Sequence, residues 1–425
     1  MNSFDYVIIG SGLPALVLEH FIEGASVVLI DPTPGSYKCG ESIIPEHFHN
    51  LEVRSLLPRI RKLPSYTEKW GALFVTDDTV AAFPLPPNLS ELSMHVARGE
   101  LEALMIEAWD IRVRPERVTA VDVARKVVTT ESGDYRANKQ IIDCSGNAMV
   151  VAESLDEVDL LKPAHATWSY FDIKRAARWS SEELAEATGK QVLKYDATQA
   201  SLLKCDLPGD WSADATTSIT QVRQGVWLWQ IPLFRGTMLS CGVVSRGEPV
   251  TESEYDAIVR DYRLPCFDLK ARPRDDSSSF NRIYCRRNFA KRARQASTEN
   301  YILVADAFAF GDPIYSVGTG LAVNKAIQVA DMLNHGHGWS AEKSRWYNEQ
   351  YERLIVRIED AFEHWYNCSL ISSDQVATEV QRDILQGRVF GDQIAEWYNA
   401  SLRCAMGDPD TEEHHNFPQL TGIGA

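Results

Sequence analysis

Apolar residues fall along this chain in two periods, and the switches between them outline the fold. Residues 6–9 (YVII) form a short unbroken apolar run rich in β-branched side chains, the pattern of a strand buried on both faces. Residues 14–23 then repeat at helical spacing, and 26–30 return to an apolar run closed by Asp31, so a βαβ unit is predicted. Strands are predicted at 73–75 and 80–83, paired across the polar Asp77-Asp78 turn, followed by a helix from 96 to 109. Runs at 118–123 and 126–130, and one ending at Asp143, return to the sheet. From 167 to about 244 short alternating runs, including 226–231 and 238–243, predict an inserted antiparallel sheet. Residues 301–307 read as another buried strand, with a Gly/Pro-rich run at 310–320 and a helix at 321–333 after it. Helical spacing from 340 to about 403 predicts two or more long helices, and 406–425 reads as a loose tail.

The turn of the βαβ unit carries chemistry. Gly10-Ser11-Gly12 breaks the first strand and opens the helix, giving G-x-G-x-x-A with Ala15 at the last position. Gly10 permits a tight turn, and Gly12 lets backbone approach a pyrophosphate with no Cβ in the way. The free N–H groups of the following helix then hold the phosphate charge. Ala15 is small enough for close helix–strand packing, and Asp31 stands where a carboxylate accepts hydrogen bonds from ribose hydroxyls. The fold class is therefore α/β: a Rossmann-like dinucleotide domain with an inserted antiparallel-sheet substrate domain and a helical C-terminal region.

Composition narrows the partners. Of the 425 residues, 43 are basic and 59 acidic, and the net charge of −16 argues against nucleic acid or an anionic membrane as the main partner. The one basic stretch, 270–294, is a docking face, a solvated surface or the neighbour of a polyanionic cofactor. Eight scattered cysteines form no C-x-x-C pair and no metal-ligand spacing, as in reduced cytosolic thiols. No apolar run approaches bilayer length, and the nucleotide unit begins almost at once, so a cytoplasmic location is expected.

Four motifs in order carry a resemblance. To the glycine turn are added Gly40-Glu41-Ser42 with Pro45, then Trp227-Leu228-Trp229-Gln230-Ile231-Pro232, then Phe310, Pro313, Ser316 and Gly318 in F-x-x-P-x-x-S-x-G. Together they resemble the superfamily of FAD-dependent monooxygenases and flavin-dependent halogenases, over about three quarters of the chain. The resemblance implies FAD as cofactor, with Gly10, Gly12 and Ala15 at its diphosphate and Ser42 in the loop near the flavin. It further implies that Arg98, in a V-x-R-x-x-L-x-x-L setting, helps hold FAD, a task that suits a permanently charged forked guanidinium. Asp306 matches the acid that contacts the ribityl or ribose, although the usual Gly-Asp is Ala305-Asp306 here. Pro313 belongs to the run at the flavin ring, and backbone N–H groups of Gly318, Thr319 and Gly320 can point at the pyrimidine edge. On this basis 1–165 and 296–335 are the FAD-binding domain, with a flavin-loop insert around 32–95. Residues 166–295 form the substrate sheet, 336–405 the C-terminal helices and 406–425 the tail.

Two chemistries share the implied first half, in which reduced FAD meets dioxygen and gives a C4a-hydroperoxide. A hydroxylase passes the distal oxygen to an electron-rich ring. A halogenase passes it to halide, and a lysine beside the substrate carries the halogen; Lys69 is the candidate. Trp227 and Trp229, with Pro232, line the substrate pocket in the resemblance and favour the halogenase. The chain's length and motif set look closer to monooxygenases that hydroxylate a tryptophan of a partner protein during maturation of tryptophylquinone cofactors, and this is the reading favoured. Glu41 is the candidate for proton handling. No second G-x-G-x-x-G exists for a nicotinamide, so reduction is expected from NAD(P)H bound transiently or from a separate flavin reductase.

Overall fold

The computed structural model describes residues 2–367 except 49, 86–89, 175–178, 197–200, 204–214, 315 and 336–337. The expected helices after 367 and the tail lie outside the described residues.

Strand Asn2–Ile9 is central to a seven-stranded sheet. It pairs in parallel with Val27–Ile30 on one side and with the long strand Gly133–Asp143 on the other. Tyr301–Leu303 adds in parallel beyond Gly133–Asp143, so the chain returns to this sheet after a long excursion. The four residues Tyr6 to Ile9 are all buried, as the unbroken apolar run demands. Helix Leu13–Phe21 packs against the late helix Val317–Asn334 and covers one face.

The excursion builds a ten-stranded sheet. Thr216–Arg223, Val226–Leu233, Met238–Arg246 and Ala164–Ile173 run antiparallel in that order. Gly71–Val75 and Thr79–Pro84 form the expected hairpin, with Val75 opposite Val80. This hairpin joins the sheet in parallel through Thr216–Arg223, and Gln191–Asp196 joins it in parallel as well. The sheet is therefore mixed, because strands from the early loop insert enter alongside strands of the later meander.

Period-two alternation divides the large sheet between two cores. Trp227, Trp229, Ile231 and Leu233 belong to the main core shared with the nucleotide sheet, whereas Val226 and Leu228 face a second core with helix Glu252–Tyr262. Pro232 lies in a strand interior, but the ladder with Thr216–Arg223 ends at Gln230, so its missing N–H interrupts nothing on that side.

Three boundaries differ from expectation. The strand at 301 stops at Leu303, and Ala305–Ala307 is a 3-10 turn in which Ala305 takes the left-handed φ of +55°. The last helix of the nucleotide fold begins at Val317 and not 321, so Gly318 and Gly320 sit inside its first turn. Within the 32–48 loop, Ser42–Ile43 forms a short strand paired with Met94–His95.

Candidate cofactor and substrate site

The two glycines of the first turn differ in what requires them. Gly10 has φ +103°, donates its N–H to the Ile30 carbonyl, and a Cβ there would fall 2.6 Å from the Cys144 carbonyl oxygen. A Cβ on Gly12 would meet only Glu102 Oε1 at 3.7 Å and Pro14 Cδ at 3.8 Å, which are ordinary contacts. Packing therefore explains the first glycine and leaves room at the second. Gly12 is the N-cap of helix Leu13–Phe21 and supplies no side-chain cap to its first N–H groups. Ala15 is fully buried against the fold. Asp31 Oδ2 accepts from both the N–H and the hydroxyl of Ser11, and Oδ1 from the Thr33 N–H. It braces the glycine turn, and its carboxylate has acceptor capacity beyond those three bonds.

Arg98 opens helix Arg98–Ala108 and is joined to the glycine turn through a residue that the sequence reading missed. Glu102, one helical turn on, has a fully buried side chain that accepts from Arg98 Nη2 at 2.9 Å and from Lys38 Nζ. The i,i+4 spacing was the available signal. Arg98 Nη1 lies 3.2 Å from where a Cβ on Gly40 would stand, so the flavin loop closes over the guanidinium only with glycine there, at φ +108°. Arg98 Nε and Thr319 Oγ1 are buried polar atoms without hydrogen-bond partners. His47 packs near both; burial, with the Arg98 charge behind it, takes its pKa down to about 3. Asp306 lies 3.9 Å from a would-be Cβ on Gly318, and desolvation raises it to about 6 against the opposing charges of Arg98 and Arg286. Gly318, Thr319 and Gly320 occupy the start of the Val317–Asn334 helix, whose N-cap Ser316 offers no side-chain bond, and half-buried Pro313 precedes it.

Glu41 is held at the end of a hydrogen-bonded line. Trp168 Nε1 donates to the Tyr37 hydroxyl at 2.6 Å, the Tyr37 and Tyr170 hydroxyls lie 2.6 Å apart, and Tyr170 donates to Glu41 Oε1. The Gly40 N–H donates to Oε2. Because Trp168 can only donate and Tyr170 donates onward, Tyr37 must donate to Tyr170. Glu41 itself is 1% exposed.

Lys69 is equally enclosed. Its Nζ donates to Ser42 Oγ at 2.8 Å, Ser42 Oγ lies 3.3 Å from Thr217 Oγ1, and His95 Nε2 lies 2.8 Å from the same Thr217 oxygen. Burial, and then the Lys69 charge, keep His95 well below the usual imidazole range. Lys69 and Ser42 are thus brought together, tying the flavin loop to the large sheet.

Both motif tryptophans are buried, and both indole N–H groups are used inside the protein. Trp229 Nε1 donates to Ser240 Oγ at 3.2 Å, and its ring lies over Gly242, where a Cβ would overlap Cζ2 at 1.9 Å. Trp227 Nε1 donates to the Tyr366 hydroxyl at 2.8 Å, and Tyr366 donates to Asp312 Oδ2 at 2.7 Å. The end of helix Ala341–Asn367 is therefore fastened to the motif strand. Pro232 follows on the same strand, its backbone beside His95.

The mostly parallel nucleotide-type sheet with a large inserted sheet is a fold shared with flavin-dependent halogenases and a flavoprotein/dehydrogenase of known structure. Among solved structures, the halogenase PltM superposes with a TM-score of 0.69 at 16% identity, covering 96% of this chain and 84% of that one. A flavoprotein/dehydrogenase from Cytophaga hutchinsonii gives 0.65 at 15% identity, covering 96% and 100%. The myxobacterial chondrochloren halogenase CndH gives 0.63 at 18% identity, covering 96% and 97%. PltM is also known in complex with phloroglucinol and FAD. No protein-family model matches the chain, and no curated protein matches it in sequence. No helix among the described residues is long and apolar enough to cross a membrane.

Proposed function

We propose that this chain is an FAD-dependent monooxygenase that uses dioxygen to hydroxylate an electron-rich aromatic ring, with a tryptophan side chain of a partner protein, in quinone-cofactor maturation, as the substrate class. The residues fit the cofactor. Gly12 has approach room that packing does not use, the helix behind it is uncapped, and Arg98 Nε and Thr319 Oγ1 are buried donors awaiting acceptors. In this reading Gly12 and Arg98 hold the diphosphate side on the turn that Gly10 shapes, Asp31 and Asp306 the sugar hydroxyls, and the N–H groups at Gly318 to Gly320 the ring edge. When bound, FAD supplies the electrons that activate dioxygen. Around it the chain excludes water with Trp168, Trp227 and Trp229 and keeps Glu41 oriented through Tyr170. Electrons reach the cofactor from NAD(P)H or a separate reductase.

The observation that favours hydroxylation is Lys69, whose Nζ is engaged with Ser42 inside a buried polar network. A second reading, halogenation of an indole, pyrrole or phenol with Lys69 as the transfer residue, is favoured by the complete W-x-W-x-I-P strand and the likeness to halogenases. The test supplies FAD, a reductase with NADPH, dioxygen and a tryptophan peptide or indole, with and without bromide. The proposal expects a product heavier by one oxygen in both conditions. Bromine incorporation that disappears in Lys69→Ala would establish the second reading instead.

A further inference from the structure

The basic stretch at 270–294 divides into engaged and unengaged cations. Arg272, Arg274, Arg282, Lys291, Arg292 and Arg294 each pair with a carboxylate. Lys270, Arg286 and Arg287 are exposed and have no ion-pair or hydrogen-bond partner among the described residues. Ladder register fixes what Arg286 stands beside. Trp229, Gly242, Trp168 and Tyr284 lie directly opposite one another across four strands of the large sheet. Residues paired in this way share a face, and the Trp168 and Tyr284 rings stack at 5.2 Å. The next row on that face is Trp227, Val244, Ala166 and Arg286. Its first three members are buried in the main core, and Arg286 is its exposed end. Three strand spacings put the Arg286 Cα roughly 14 Å from that of Trp227.

The backbone that carries this guanidinium is fixed. Tyr284–Arg286 is laddered to Ala164–Ile173, and Asn288 then takes φ +50° and donates its N–H to His165 Nδ1 at 3.4 Å. The Phe289 N–H donates to the Ala164 carbonyl at 3.0 Å. A cation held in this way, with no partner of its own, is prepared for an anion that arrives with a ligand. In the function proposed above, Trp168, Trp227 and Trp229 form the wall against which the aromatic ring lies, so that ligand is the substrate. A tryptophan within a polypeptide brings neighbouring side chains with it. At about 3.3 Å per extended residue, those within about four positions span the distance from Trp227 to Arg286. We propose that Arg286 is a specificity residue that binds the carboxylate of an aspartate or glutamate flanking the target tryptophan. The inference rests on the reading of a polypeptide substrate given above.

The test gives the FAD-loaded full chain two tryptophan peptides, flanked on both sides by glutamates in one and by glutamines in the other, with indole as the small substrate. Binding is read by calorimetry and turnover by oxygen gain, for the wild type, Arg286→Ala, Arg286→Lys, Arg287→Ala and Lys270→Ala. The wild type should bind the glutamate peptide tighter by about tenfold or more, and by less as salt rises. Arg286→Ala should erase that difference by weakening the glutamate peptide alone. Its KM for that peptide then rises while kcat holds within about twofold, and the preference over indole falls by the same factor as KM rises. Arg286→Lys keeps part of the difference. Arg287→Ala, on the other face of the strand, and Lys270→Ala, opposite Asp172 at the far end of Ala164–Ile173, keep all of it. A wild type that binds neither peptide or both equally, or an Arg286→Ala chain that still tells them apart, would overturn the anchor. Losses of equal size in all three alanine variants would overturn it too, because they would report net charge and no particular site. Oxygen gain by no substrate, with the calorimetric difference present and lost in Arg286→Ala, would refute the hydroxylase reading and uphold the anchor.

Discussion

Replacing Gly12 and Gly10 by alanine separates a glycine kept for a ligand from one kept for the fold. At Gly12 the backbone is extended, with φ −73° and ψ 179°, and the new methyl would meet nothing nearer than 3.7 Å. Folding therefore loses nothing by strain, and reduced freedom of the unfolded chain adds about 0.4–1 kcal/mol of stability. At Gly10 the positive φ costs about 1–2 kcal/mol. Overlap with the Cys144 carbonyl forces a backbone shift worth about 1–3 kcal/mol more. Urea unfolding of the two apo-proteins should differ by about 2–5 kcal/mol in favour of Gly12→Ala, read from midpoints at constant slope. FAD titration should show the reverse defect in the stable variant. A methyl that holds a phosphate away from one backbone N–H forfeits a charge-assisted bond of about 1.5–3 kcal/mol, a loss of about tenfold or more. If Gly12→Ala unfolds as easily as Gly10→Ala, or binds FAD as the wild type does, the reasoning from free space at residue 12 is wrong.

Other perturbations read other parts of the site. Gly242→Ala would drive a methyl into the Trp229 indole, and displacing that ring should cost about 2–4 kcal/mol in urea unfolding and lower near-ultraviolet circular dichroism. Ala305→Gly removes a left-handed alanine at φ +55°; the relief of about 1–2 kcal/mol, less the greater freedom of unfolded glycine, should raise stability by up to about 1 kcal/mol. Asp312, pushed up to about 6 by burial, binds its proton more tightly folded than unfolded. Its favourable contribution is thus complete below about pH 4 and lost as pH rises through about 6. Asparagine does not titrate, so the stability of Asp312→Asn relative to wild type should rise by about 2 kcal/mol from about pH 4 to pH 7. Paired urea unfolding at the two pH values measures it, and a flat difference would contradict the raised carboxyl.

What could be read from the sequence was local. The βαβ unit was legible because strand, glycines, helix and Asp31 follow within one unit, and the hairpin at 71–84 because its polar turn is short. The place of Arg98 at the start of a helix was legible, and its partner Glu102 one turn later could have been. The start of the last helix was misplaced because Gly318 and Gly320 look like loop residues, whereas Ser316 in the left-handed region turns the chain into the helix ahead of them. The turn after Leu303 was hidden because alanine is an unlikely choice for the conformation that Ala305 adopts. Neither the Trp168–Tyr37–Tyr170–Glu41 line nor the Trp227–Tyr366–Asp312 line could be foreseen. Each joins residues more than a hundred positions apart, and no periodicity within one segment carries that information.

The donors of the tryptophan motif bear on selectivity. Trp227 and Trp229 each give their N–H to a side chain of the protein, and Trp168 gives its own to Tyr37. In the proposed function, a ring bound against Trp168, Trp227 and Trp229 would meet indole faces and edges and find no free indole donor among them. Discrimination among substrates must then come from shape and from the electrons of the ring, and apolar contacts separate similar rings by only about 1–3 kcal/mol. A partner protein offering one tryptophan side chain would need further recognition away from this wall. A free indole or phenol of the right size would be accepted with little regard for its polar substituents. Competition between a tryptophan peptide and indoles of graded size, at one oxygen concentration, distinguishes the two. A preference for the peptide well beyond about a hundredfold places recognition outside the motif, and a smaller one leaves the wall of tryptophans in charge.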